Sequence, residues 1–176
     1  MHLPRNVSYI LSIYGILESI YDLSVAIHEA AHTCIALHLV APLDCIELNA
    51  QHGKSSYSRA RTVWRTGNLM HNQIIAVMAA GPVAERRCVE KTGMPYEFLD
   101  SVEREESIIF DKYLDNQLTI ERSLYDMHWA EAKSRADVLL DIKDVDTCVG
   151  RIKKMILYAL QTERTKIQAS EIVPTK

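Results

Sequence analysis

The sequence predicts a mainly α-helical domain of the α+β class with a small β-hairpin or sheet. Apolar residues recur at helical spacing in the first 39 residues and again from Asn68 to about Lys91. Three further amphipathic patterns, all charged, fill the chain from Asp100 to about Gln168. The stretches 45–49 and 57–64 alternate apolar and polar side chains, and His52-Gly53-Lys54 between them predicts a turn.

The segment Val7 to Tyr21 predicts a first helix. A second helix is expected from Ser24, as N-cap or first-turn residue, through Leu39, and it must stop before Pro42 because the residue before proline avoids the helical conformation. The helix that follows the strands has a small-residue centre at Ala79-Ala80-Gly81, which would let another helix approach closely. Pro82 is expected to kink it.

Length and composition indicate one ordinary globular domain spanning residues 1–176, with a frayed tail over residues 169–176. Hydrophobic residues make up 48% and charged residues 24% of the chain, which are typical values for a folded domain. The formal net charge of −3 provides no positive field for phosphate backbones, so no nucleic-acid partner is predicted. A membrane partner is not expected either, because Glu18 and Asp22 interrupt the first apolar run before it could span a bilayer.

The four cysteines predict neither a cysteine zinc cage nor a dense disulfide framework. Cys34, Cys45, Cys88 and Cys148 are far apart and form no CxxC pair. They are therefore expected to be reduced thiols, and the protein is expected to be cytoplasmic.

The motif with chemical content is His28-Glu29-Ala30-Ala31-His32, an HExxH sequence inside the second predicted helix. Residues four apart lie about 40° apart around a helix and one turn along it, so both imidazoles can reach one tetrahedral Zn²⁺ ion. Glu29 lies on the adjoining face, where its carboxylate can act as general base toward a zinc-activated water. The pattern predicts a zincin-like helical bundle with His28 and His32 as zinc ligands.

A catalytic zinc ion normally takes three protein ligands, so the two histidines need a partner. His38 stands where the extended HExxHxxGxxH pattern places its third histidine, but Ile35 occupies the position of the glycine that turns the chain. On an uninterrupted helix, His38 would point about 120° away from His32. His38 is therefore the less favoured third ligand.

The stretch Val25 to His32, followed by an apolar helix up to Pro42, resembles the HEAGH helix of FtsH-type zinc metalloproteases. The segment Ala79-Ala80-Gly81-Pro82-Val83-Ala84-Glu85 is similar to that family's small-residue helix, which reads roughly Gly-Gly-Arg-x-Ala-Glu. The likeness covers residues 25 to about 100, with Ala31 in place of the family's glycine. No ATPase module or membrane helices accompany it, so the resemblance implies a stand-alone peptidase domain.

The resemblance also implies a third zinc ligand. The family's third ligand is an aspartate that opens a helix some sixteen residues after the Ala-Glu pair, and the nearest match is Asp100. The sequence lacks the family's Asn-Asp pair there, which leaves Glu103 as an alternative ligand. Asp100-Ser101-Val102-Glu103 also fits a helix cap with a capping-box glutamate and no metal.

The resulting hypothesis is a zinc-dependent metalloendopeptidase that acts on peptides or unfolded proteins, with His28, His32 and Asp100 on Zn²⁺ and Glu29 as base. Two other classes stay open. One is a zinc-containing binding or regulatory protein without turnover, and the other is a helical interaction module in which HExxH is coincidental. The sequence does not indicate an oligomeric state.

Overall fold

The computed structural model describes residues 5–48, 60–93, 97–116 and 120–173, with side chains from residue 22 onward except those of residues 97–106. Its first element is a 34-residue helix, α1 (Arg5–His38). The prediction of two helices in this region, with Ser24 at the start of the second, is wrong. The Ser24 hydroxyl donates instead to Glu85 Oε1, 61 residues away, and the helix runs straight through.

The two predicted strands are present and form an antiparallel pair. β1 (Leu43–Leu48) runs against β2 (Ala60–Trp64), with Ile46 opposite Thr62. The turn predicted at His52-Gly53-Lys54 lies outside the described residues.

A third strand, which the sequence did not predict, joins the other side of β1. It is β3 (Lys166–Gln168), antiparallel to β1, and the strand order is β2-β1-β3. Ile46 faces Ile167 across this pair, and both side chains are fully buried. Three residues are too few for an alternating pattern to stand out in a sequence.

The remaining helices confirm the mainly helical class, and the structure gives the bounds α2 (His71–Thr92), α3 (Glu97–Asn116), α4 (Tyr125–Leu140) and α5 (Lys143–Gln161). A short 3-10 turn, Arg122–Leu124, precedes α4. α1 packs between α5 and α2, and α4 covers another side of α2. The helix that carries the HExxH motif is therefore enclosed by its neighbours.

The small-residue centre of α2 lies at the α1 contact. Ala79, Ala80, Gly81 and Pro82 are all buried, and the helix continues through Pro82 to Thr92. Side chains this short allow two helices to approach closely, as the sequence predicts. The close approach is what brings α2 side chains to the histidines of α1.

A disulfide between Cys34 of α1 and Cys148 of α5 joins these two helices, with a Cα–Cα distance of 5.8 Å. The prediction of reduced thiols is therefore wrong for these two residues, whereas Cys45 and Cys88 are free. Local spacing could not reveal the pair, because 114 positions separate the cysteines. Disulfides are rare in a reducing cytosol, so the expectation of a cytoplasmic protein loses the argument on which it rested.

The C-terminal part of the chain differs from the expected frayed tail. A four-residue helix, α6 (Ala169–Ile172), follows β3 directly, and the Ile172 side chain is fully buried. This apolar anchor holds the segment against the core. Within the described ranges, no helix combines the length and apolar character needed to cross a membrane.

Candidate metal centre

The HExxH residues lie in the buried middle of α1. His28, Glu29 and His32 are 7%, 8% and 8% exposed, so three ionisable side chains share a nearly dry environment. Buried polar groups of this kind require hydrogen-bond partners or a metal ion. The partners of each side chain therefore indicate what the site can hold.

The Nδ1 atom of His32 is a hydrogen-bond donor. His32 Nδ1 lies 2.6 Å from the carbonyl oxygen of Val77 in α2. A carbonyl oxygen can only accept, so Nδ1 carries the proton and donates. In the neutral imidazole, Nε2 then has a lone pair available for coordination.

A carboxylate on α2 orients the His28 ring. His28 Nδ1 lies 3.1 Å from Glu85 Oε2, and the other oxygen of Glu85 accepts the Ser24 hydroxyl. Glu85 is only 4% exposed, so this carboxylate is buried among its partners. A carboxylate that accepts the Nδ1 proton of a histidine leaves Nε2 as the ligating atom, which is the arrangement found behind many zinc-bound histidines.

The Nε2 atoms of the two histidines converge. His28 Nε2 and His32 Nε2 are 2.9 Å apart, and the ring centroids are 4.6 Å apart. With both Nδ1 atoms protonated, two lone pairs would face each other in a buried site. Such an arrangement is stable only when a cation, either a proton or a metal ion, lies between the nitrogens.

Gly81 of α2 lies against the Nε2 side of the His28 ring. A Cβ atom built at this position would overlap Cε1, Nε2 and Cδ2 of the His28 ring. The absence of a side chain at residue 81 therefore gives the imidazole its place between the helices. This is a packing reason for glycine in the small-residue centre of α2.

Glu29 points to the sheet. Its Oε2 accepts hydrogen bonds from the backbone N–H of Thr62, at 2.6 Å, and from the Thr62 hydroxyl, at 2.8 Å. Thr62 lies in β2 and is nearly buried. The candidate base is thus held by the strand beside the histidine pair.

The structure leaves the third ligand as a prediction. Asp100 and Glu103 lie in α3, which packs against α2, but their side chains lie outside the described part. α3 begins at Glu97, so Asp100 is its fourth residue and the alternative of a helix cap at Asp100 is wrong. His38 is exposed at the last residue of α1. Among the side chains that the structure describes, no three histidine, cysteine or acidic residues form a metal-binding group.

A second histidine contact lies at the start of α2. His71 Nδ1 is 3.1 Å from the Tyr113 hydroxyl of α3, and the His71 and His128 rings meet edge to face with centroids 6.1 Å apart. Burial, and secondarily the neighbouring His128, lower the pKa of His71. His71 is partly buried, and His52 lies outside the described residues.

Sequence reasoning missed two residues of the site. Glu85 appeared only as part of the motif that resembles the FtsH-type helix, without a role, and Thr62 appeared in no motif. The pairing of Glu85 with a histidine 57 positions earlier follows from the contact between α1 and α2. The available signal for Glu85 was an acidic residue at the end of an otherwise small and apolar segment, four positions after Gly81.

The geometry of the histidine pair, rather than any relative, is the basis for assigning a function. None of the protein-family models, curated proteins or solved structures compared with this chain matches it. The likeness to FtsH-type peptidases therefore remains a prediction from two short motifs, at residues 25–32 and 79–85.

Proposed function

We propose that this protein is a zinc-dependent peptidase whose metal is held by His28 and His32, with Glu29 as general base. One observation carries the proposal. The Nδ1 atoms of both histidines are occupied by partners on α2, and their Nε2 atoms converge in a buried site. The chemistry of this donor set suits Zn²⁺, which binds neutral imidazole nitrogens.

The separation of the two Nε2 atoms is close to that of a zinc site. Two nitrogens that each lie about 2.0–2.1 Å from a tetrahedral zinc ion are roughly 3.3 Å apart. The observed Nε2–Nε2 separation of 2.9 Å is shorter by about 0.4 Å, and small rotations of the two rings can lengthen it by this amount. We assign the third position to Asp100, with Glu103 as the alternative, because α3 packs on the helix that supports both histidines.

Each side chain has a separate task in hydrolysis. Zinc, when bound, would polarise the scissile carbonyl and make water a better nucleophile. Glu29 would accept a proton from the attacking water at Oε1, because its Oε2 is engaged by Thr62. The same oxygen would then return the proton to the departing amine as the peptide C–N bond breaks.

Peptides or unfolded segments are the proposed substrates. Glu29 contacts β2, which is an outer strand of the described sheet. An extended peptide can add to a sheet edge through main-chain hydrogen bonds. The scissile bond of such a peptide would lie close to the histidine pair.

Glu29→Gln is expected to retain zinc and to lose at least about 100-fold in hydrolysis, because the amide cannot take up a proton. His32→Ala is expected to lose both zinc and hydrolysis. Zinc per chain is measured by elemental mass spectrometry, and hydrolysis is followed with fluorescein-labelled casein as an unfolded protein.

Full activity of Glu29→Gln would contradict the assigned base. A parent protein that holds one zinc ion per chain but cleaves neither casein nor a mixed peptide library would indicate a zinc-containing binding protein. A parent that takes up no zinc would indicate a helical interaction module, in which the HExxH spacing is coincidental.

Glu85→Gln is expected to weaken zinc binding by about 10- to 100-fold. Without the carboxylate, the His28 ring is no longer held in its orientation, and the basicity of this ligand is no longer increased. The matched control is Glu90→Gln on the same helix, where the side chain is exposed. Competition titrations with a chromogenic zinc chelator measure both affinities. Equal zinc affinities in the two variants would show that Glu85 has no such role.

A further inference from the structure

Thr62 connects the sheet to the proposed base through two donors. Its backbone nitrogen and its hydroxyl oxygen lie 2.6 Å and 2.8 Å from the same atom, Glu29 Oε2. The hydroxyl oxygen also lies 3.0 Å from the Glu29 carbonyl oxygen and 3.1 Å from the Thr33 hydroxyl. Glu29, Thr33 and Thr62 are all buried, so water competes little with these contacts.

This network distinguishes the two carboxylate oxygens of Glu29. Oε2 accepts hydrogen bonds from the backbone N–H and the hydroxyl of Thr62, whereas no described residue donates to Oε1. The two donors come from a single residue, so they fix both the direction of the carboxylate and the rotation about its last bond. Oε1 is left as the oxygen that can accept a proton.

We propose that Thr62 is a positioning residue that holds Glu29 in the orientation needed for general-base catalysis. The inference rests on the proposed peptidase function and extends it from α1 to β2. A displacement of about 1 Å at a reacting group can cost about 100-fold in rate, so losing the hydroxyl that fixes Glu29 should reduce turnover. Thr62 itself does not touch the reacting atoms.

Three substitutions separate positioning from packing. Thr62→Val keeps the shape and the backbone N–H but removes the hydroxyl, and Thr62→Ser restores the hydroxyl. Thr33→Val is the control, because it removes a hydroxyl from a buried threonine whose side chain contacts the Thr62 hydroxyl but has no hydrogen bond to the Glu29 carboxylate.

With zinc-loaded protein and fluorescein-labelled casein, Thr62→Val is expected to lower kcat by about 10- to 100-fold with KM nearly unchanged. Its zinc content should equal that of the parent. Thr62→Ser should recover most of kcat, and Thr33→Val should stay within about threefold of the parent. A merely structural role would not produce rescue by the hydroxyl alone.

Parent-like kcat in Thr62→Val, or loss of zinc from it, would overturn the inference. If circular dichroism shows that Thr62→Val is unfolded, Thr62→Ala replaces it under the same criteria. If the zinc-loaded parent does not cleave casein, the peptidase function fails, and Thr62 is judged by calorimetric binding of acetohydroxamate, a metal chelator that gives its proton to a neighbouring carboxylate. A roughly tenfold weaker Kd in Thr62→Val supports the positioning role, and an unchanged Kd overturns it.

Discussion

Gly81→Ala is expected to abolish tight zinc binding and to destabilise the fold. A methyl group at position 81 would overlap three ring atoms of His28, so either the imidazole leaves its place or α2 moves away from α1. Overpacking of a buried contact typically costs about 1–3 kcal/mol. Displacement of His28 would remove one of two imidazole ligands, and we expect zinc affinity to fall by at least about 100-fold.

The matched control for this substitution is Gly150→Ala. Gly150 lies inside α5, and a Cβ atom there would meet nothing within 4 Å. Replacing a helical glycine by alanine without a clash should raise stability by about 0.5–1 kcal/mol. Thermal unfolding and zinc titration of both variants check the prediction. Parent-like zinc binding by Gly81→Ala would show that residue 81 does not limit the position of His28.

Reduction of the Cys34–Cys148 disulfide is expected to lower the free energy of unfolding by about 3–5 kcal/mol. The cross-link closes a loop with a sequence separation of 114, and a loop of this length restricts the unfolded chain strongly. It also ties the helix of the histidine pair to α5. Urea unfolding with and without a phosphine reductant measures the difference at neutral pH.

Two variants serve as controls for the disulfide. The paired substitution Cys34→Ala with Cys148→Ala should be insensitive to the reductant. Cys88→Ala removes a free thiol on α2 and should respond to the reductant as the parent does. Equal unfolding free energies for the oxidised and reduced parent would contradict a stabilising role.

Local patterns predicted the parts of the fold that depend on neighbouring residues. Helix α2 was expected near Asn68 to Lys91 and is found at His71–Thr92, because its apolar face repeats over six turns. Ser24 shows the limit of this reasoning. Its hydroxyl is suited to a helix cap, but the contact with Glu85 gives it another partner, and only the packing of α1 on α2 creates that choice.

The candidate site, too, was predictable only where it depends on the spacing of neighbouring residues. The HExxH spacing predicted that His28 and His32 share a face of one helix, since four residues make about one turn. The residues that support the motif, Glu85 and Thr62, are 57 and 33 positions away from the atoms they contact. Such distant contacts are set by helix and sheet packing, and a single sequence carries no record of them.

The most direct test of the central claim is the zinc content of untagged, zinc-incubated parent protein, measured by elemental mass spectrometry beside His32→Ala. The converging Nε2 atoms predict close to one zinc ion per chain in the parent and essentially none in the variant. A parent without bound zinc, or a variant that retains it fully, would contradict the assignment of His28 and His32 as a metal centre.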